Sequence, residues 1–381
     1  MADGLNMSRR IRRTPYTECV EAAGVRGFSV VNHMLLPKAF ESSVEEDYWH
    51  LREHVQIWDV SCQRQVEIRG PDAQRLVQWM TPRDISAACV GDCLYVPIID
   101  ERAGLINDPV LLKLDDNHYW LSIADSDVLL YAKGLALGAG FDVEVTEPDV
   151  SPLAIQGPKA EALLQELFGA HIAGIGFFKF AWIEFEGTKQ LIARSGYSKQ
   201  GGFEIYLQGA QYGTALWDTI WNAGQGYNMK PGCPNLIERI EGGLLSYGNE
   251  MTRDNNPLEI GLEQFCALDN PVECIGMETL LKLHRHGIER QIRGVLFDGG
   301  ACPTCAIPWP VVAAGKQAGK QAGKQVGQIT SAIWSPRLKQ NAGLSLIEKS
   351  HWAAGQTVTV QCADGTHRSG VISLLPFEGD G

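Results

Sequence analysis

GYSKQGGFEIY, Gly196 to Tyr206, is the stretch from which the fold can be read outward. Its glycines shape a turn entering a strand, and strand side chains alternate between faces, so Glu204 and Tyr206 project to one side. A carboxylate beside a phenol can receive a flat heterocycle carrying N–H donors. It is also a common surface pair, and the segment alone leaves both readings open. Just upstream, AWIEFEG and KQLIARSG read as strands, and LAIQGPKAEALLQELFG as strand, Gly-Pro turn and helix. VEIRGPDAQRLVQWM follows the same order, with Pro71 and Asp72 supplying the chemistry of a helix start. The G-P-x-A element shared at Gly70 and Gly157 predicts two similar α+β units.

Between these units CLYVPIID and GLINDPVLLKL flank the turn Asp100 to Gly104 as a hairpin, YWLSIAD continues the sheet, and Asp127 to Leu137 reads as helix. Tyr48 to Val55 reads as the end of a helix. Trp217 to Gly224 and Asn235 to Gly248 are predicted helices, the second carrying Leu236, Ile240 and Leu244 on one face. From about Arg290 the texture changes to short strands rich in Gly and Pro (IRGVLFDGG, GQITSAIWSP, NAGLSLIEK, QTVTVQC, SGVISLL), which predicts a small β-barrel or β-sandwich. The repeat AGKQAGKQAGKQVGQ, Ala314 to Gln328, has almost no large apolar residue before Val326 and reads as a mobile surface loop.

With 381 residues, 45% hydrophobic and 20% charged, the chain suits two or three packed units of an ordinary globular protein. A net charge of −12 without a basic block argues against nucleic acid and anionic membranes as partners. The one cationic cluster, Arg9, Arg10, Arg12 and Arg13, reads as a solvated arm. No apolar run is long enough to span a bilayer, and MADGLNMSRRIRRTPY has no apolar stretch after its charges, so a cytoplasmic protein without a signal peptide is expected. The ten cysteines are scattered, as reduced thiols are. Cys302-Pro-Thr-Cys305 lacks a second pair of suitable spacing and predicts no metal, and His284 and His286 read as surface residues of a charged helix-like stretch. Dinucleotide, phosphate-loop and serine-hydrolase motifs are absent.

Two further places carry chemistry by residue type. Asn107 and Asp108 interrupt an apolar strand before Pro109, either as a bulge or as functional groups. Trp334 stands beside Pro336 and Arg337 in a turn, available as an aromatic wall.

Taken in order along the chain, these segments resemble the folate-dependent aminomethyltransferases, the family of the glycine cleavage T protein. RRTPYTECVEAAG resembles its N-terminal entry, LREHVQIWDVS its helix-to-strand motif, LAIQGPKA its "LQGP" turn and GYSKQGGFEIY its pterin segment. LIERIEGGLLSYGNEM resembles its helix motif, and ITSAIWSPRL a motif of its C-terminal barrel. Within that family the likeness is strongest to the demethylases of dimethylsulfoniopropionate, through VVNHMLLP, EHVQIWDV, CLYVPIIDE, LINDPVLLKL and GCPNLIERIEGGLLSYGN among others.

The resemblance implies a three-lobed α+β fold: two interlocked α+β units over residues 1–285, and a β-barrel over 286–381. It implies tetrahydrofolate as co-substrate and transfer of an S-methyl group to its N5. The alternatives are demethylation of an amine such as glycine betaine or dimethylglycine, or folate binding without catalysis. The pterin-binding Glu falls on Glu204 and its Tyr on Tyr197, with Tyr95 nearby. The family's Asp-Asp pair becomes Asn107 and Asp108, the former expected to bind the cofactor and the latter to accept a proton. The first Arg of the helix motif falls on Asn235, leaving Arg239 as the second. Tyr206 and Trp334 are the expected substrate wall, Tyr206 also being a catalytic candidate. Small molecules are the expected partners, and a homodimer the expected assembly.

Overall fold

The computed structural model describes residues 8–314 and 323–377. It divides into two compact units, one of residues 1–79, 85–96 and 107–235, the other of 80–84, 97–106 and 236–381.

Beside the two-stranded ribbon Gly27–Val31 and Met34–Ala39, the first unit holds two larger sheets with one connectivity. In the five-stranded sheet the order is Glu144–Thr146, Gln65–Arg69, His118–Ser122, Val110–Asp115, Cys93–Tyr95. In the six-stranded sheet it is Phe180–Phe185, Thr188–Ala193, Gly202–Gln208, Val150–Gln156, Val55–Asp59, Met229–Pro231. Each begins with a strand running through a Gly-Pro corner into a helix (Ala73–Met80 or Ala160–Phe168), and a later strand returns to pair antiparallel with the first. The predicted duplication is therefore present in the topology.

The two sheets also exchange strands. Val55–Asp59, which precedes the first copy, pairs with Val150–Gln156 of the second. Glu144–Thr146, which precedes the second copy, pairs with Gln65–Arg69 of the first. One core lies between the six-stranded sheet and its helices, with Ile155, Phe203, Ile205 and Leu207 facing Leu163, Leu164, Leu216 and Ile220. A second layer joins the sheets, bringing Cys93, Leu112 and Trp120 against Leu191, Ala193 and Tyr206.

In the second unit a closed barrel is formed in the order Arg290–Phe297, Gln340–Glu348, Gln325–Ser335, Trp309–Ala313, Thr357–Gln361, His367–Ser373. Closure removes the open edges that a sandwich would leave, and the interior is filled by Val295, Phe297, Trp309, Val311, Ile329 and Ile347 among others. Residues 236–285 lie in the same compact unit as the barrel. Buried polar contacts account for this. Arg239 pairs with Glu250 at 2.7 Å and donates to Ser331 Oγ at 2.6 Å, while Arg337 donates to Glu241 at 2.7 Å.

Three local expectations need correction. The helix predicted over 235–248 spans only Leu236–Glu241. Gly243 takes φ +63°, and the Leu244 N–H bonds back to Arg239 O, which closes the helix before Leu244 can join its face. The repeat at 314–328 is not all loop. Gln325 to Gln328 begin a barrel strand and Val326 is fully buried, whereas residues 315–322 lie outside the described residues. The arginine arm is exposed but tied down, Arg12 to Glu147 at 2.8 Å and Arg13 to Glu21 at 2.6 Å. His284 and His286 are exposed at the end of the helix Met277–His286, as expected.

Candidate functional site

The loop before the strand Gly202–Gln208 is folded around a side chain that its own sequence does not contain. Gln156, at the end of the neighbouring strand, is 1% exposed. Its amide nitrogen donates to Ser195 O at 3.1 Å and Phe203 O at 3.3 Å, and its carbonyl accepts from Ser198 Oγ at 2.8 Å. Two glycines stand against this post, and the second also against the Ile155 carbonyl at 2.4 Å. A Cβ on Gly196 (φ +150°) would come within 2.1 Å of the Gln156 amide, and one on Gly202 (φ +139°) within 2.7 Å of it.

Alternation then sends Phe203, Ile205 and Leu207 to the helix side and Glu204 and Tyr206 to the layer between the sheets. Glu204 is 4% exposed, and its Oε2 accepts a short hydrogen bond from Ser195 Oγ. Burial pushes its carboxyl pKa up, against the lowering influence of Ser195. Tyr206 has no exposed surface at all. Its hydroxyl sits among Glu204, Ser122 and Ser195, and burial holds its pKa well above the ordinary value. A substrate wall must present a ring face. Tyr206 presents none, because Trp120, Cys93 and Leu191 cover it.

The strand Cys93–Tyr95 links this region to the second set of candidates. Cys93 lies in the field of Glu204 and Tyr206, and Tyr95, two residues along on the same face, in that of Asp108 and Tyr197. Tyr95 Oη donates to Asp108 Oδ2 at 2.7 Å, and burial and the nearby carboxylate raise the phenol's pKa well above its usual value. Asn107 is fully buried and saturated. Its nitrogen donates to Ala124 O at 3.0 Å and Ser126 Oγ at 2.8 Å, and its oxygen accepts from the Asp108 and Ala124 N–H groups, both at 3.0 Å. That amide has no hydrogen-bonding capacity left for a ligand. It anchors the backbone that carries Asp108.

Tyr95, Asp108, Tyr197 and Glu204 thus belong to one region of the first unit. Trp334 belongs to the second unit, half-buried on the barrel strand Gln325–Ser335 opposite Asn341. Asn235 donates to Val44 O at 2.9 Å, and Arg239 is taken up by Glu250 and Ser331. Sequence reasoning passed over Gln156 and Ser195 as site residues. Their one signal was position: the residue before the second Gly-Pro corner and the residue before the glycine loop.

Cys302 and Cys305 pack against the barrel core, and burial pushes their thiols up to about 11 and about 12. Among the described residues no group of His, Cys, Asp or Glu is arranged to hold a metal ion, and no helix is long and apolar enough to cross a membrane.

Residues 16–270 match the GCVT N-terminal domain, and residues 290–377 the glycine cleavage T-protein C-terminal barrel domain. The dimethylsulfoniopropionate demethylase of Ruegeria pomeroyi is 49% identical over 94% of this chain and 95% of its own length. An aminomethyltransferase of Caldanaerobacter subterraneus is 32% identical over 85% of each chain. The crystal structure of aminomethyltransferase T from Bartonella henselae superposes with a TM-score of 0.80 at 22% identity, covering 97% of this chain and 98% of that one, and so shares its fold.

Proposed function

This chain belongs to the glycine cleavage T-protein family of aminomethyltransferases, and from that premise we propose that it demethylates dimethylsulfoniopropionate with tetrahydrofolate as acceptor. One S-methyl group passes to N5, giving 5-methyltetrahydrofolate, 3-(methylthio)propionate and a proton. The observation that carries this reading is the full-length likeness to the Ruegeria demethylase.

Tetrahydrofolate supplies the nucleophilic nitrogen. A sulfonium methyl is already activated, because its leaving group is a neutral thioether, so the protein need not provide a strong acid. Its task is to align the partners and exclude water. Glu204 suits a pterin: it is buried, one carboxylate oxygen is held by Ser195, and the other is an acceptor for ring N–H donors. Tyr197 and Tyr95 flank the same ligand in this reading. Asp108, aimed by Tyr95 and by the backbone that Asn107 anchors, is the acceptor of the proton released on methylation. Asn107 positions and does not bind, and Tyr206 backs Glu204 from inside the sheet layer. Trp334 remains the candidate face for the sulfonium. Cation–π attraction of about 1–2 kcal/mol acts in the ground state as well as the transition state, so it orients substrate more than it speeds transfer.

The test is to incubate purified protein and tetrahydrofolate with dimethylsulfoniopropionate, glycine betaine or dimethylglycine, and to measure 5-methyltetrahydrofolate. Product is expected from the sulfonium alone. Product from an amine and none from the sulfonium would sink the proposal. The reading also places a small-molecule enzyme in the cytoplasm as a homodimer, and light scattering of the purified chain checks the assembly.

A further inference from the structure

We propose that Gln156 is a positioning residue that sets folate affinity by holding the glycine loop, and that it takes no part in the methyl transfer. This rests on the reading of Glu204 as the pterin anchor.

One buried amide reaches the loop at three points: Ser195 at its start, Ser198 in its middle and Phe203 at its end. Two of those points are the immediate supports of Glu204. Ser195 holds the Glu204 carboxylate through its hydroxyl, and Phe203 is its neighbour in the chain. A fourth tie, Gly157 N–H to Gly201 O at 3.0 Å, comes from the residue after Gln156. The loop is also cut to the shape of this amide, since any side chain at position 196 or 202 would overlap it.

The side chain must be an amide, because two carbonyls require a donor and one hydroxyl requires an acceptor. The protein contains a natural control. At the equivalent corner of the first copy the same position is Arg69, which is exposed and paired with Glu144 at 3.1 Å, and there the returning strand follows a short turn. The amide accompanies the long loop. It is not a general requirement of the corner.

Gln156→Glu keeps the shape and removes the donor, setting a carboxylate against the carbonyls of Ser195 and Phe203. The expected result is a tetrahydrofolate dissociation constant raised at least roughly tenfold, with kcat at saturating folate and KM for the sulfonium within about threefold of the original. The defect should narrow at lower pH, where the protonated acid regains a donor; a purely structural lesion would not recover in this way. Ser198→Ala, which removes one of the three ties at a half-buried position, should weaken folate about threefold, and it keeps the test open if the Glu variant does not fold. Unchanged folate affinity in folded Gln156→Glu, or in Ser198→Ala, overturns the inference, as does a loss confined to kcat. Failure of the underlying reading looks different: there the unaltered protein binds no folate, or Glu204→Gln binds it normally.

Discussion

Two corners of the chain carry a strand into a helix through Gly-Pro: Arg69–Gly70–Pro71 and Gln156–Gly157–Pro158. Both glycines have positive φ, +137° and +119°. Both N–H groups bond to the residue just before the returning strand, Asn117 O at 3.1 Å and Gly201 O at 3.0 Å. Both corners are closed to a larger residue, a Cβ meeting Asp142 O at 2.6 Å in the first and His54 O at 2.3 Å in the second. The difference lies beyond the corner. Asp116 and Asn117 alone join the hairpin strands of the first copy, whereas residues 194–201 join those of the second. The registers Arg69↔His118 and Gln156↔Gly202 then place Trp120 where the second copy has Glu204. Trp120 spends its indole N–H on Glu67 at 3.0 Å. The second copy thus differs from its twin by a longer turn and by Gln156 and Glu204 where the first has Arg69 and Trp120, and in the function proposed above those differences make the folate site.

Breaking the comparison at the carboxylate should have the largest effect. Glu204→Gln removes a charge-assisted contact, which is worth about 2–3 kcal/mol, or a roughly 30- to 160-fold weaker folate dissociation constant by titration calorimetry. The same variant should not melt lower than the original. Burial raises the Glu204 pKa, so the folded state favours the protonated acid, and the ionised form costs stability once pH rises through that raised pKa. The sign reverses for binding: folate affinity should fall as pH drops through it, because the acid loses an acceptor. A Glu204→Gln protein whose folate affinity shows the unaltered pH profile would remove the carboxylate from the site.

Next come the corners themselves. Gly157→Ala and Gly70→Ala each force a positive φ and a backbone clash, and each should cost about 2–3 kcal/mol in denaturant unfolding. Only the first should also weaken folate, since only its corner carries the loop; equal folate affinity in the two variants would erase the distinction. Smallest is Arg69→Gln, which gives the first corner the residue of the second. Its ion pair with Glu144 is exposed, so stability should move by less than about 0.5 kcal/mol and activity not at all. A marked loss of activity would show that the first corner is more than structural.

Much of this was legible in the residues. Strand alternation found the hairpins, the barrel strands and the shared side of Glu204 and Tyr206. It could not say what that side faces, because a strand's pattern is silent about which sheet packs over it. The layer made by Cys93, Leu112 and Trp120 turned Tyr206 from an expected wall into a sealed ring. Periodicity also overran the helix after Asn235, since Leu244 keeps the spacing while Gly243 ends the backbone that would use it. Residue type left Asn107 open between a bulge and a functional group, the family resemblance made it a ligand, and only its four hydrogen bonds reveal an anchor. Gln156 was readable as part of a turn and mute as a post, because its partners lie some forty residues away.

The exchange of strands between the sheets has a consequence for how the protein is made. Val55–Asp59 is buried at all five positions, and its neighbours in the sheet are Val150–Gln156 and Met229–Pro231. A ribosome adding about 5–20 residues per second exposes this strand for several seconds before its first neighbour has been synthesised. Until then the nascent chain offers a bare, sticky edge to other chains. The interval between residues 59 and 150 is therefore when a chaperone does most for this protein, and a chain stalled there is the species most prone to aggregate.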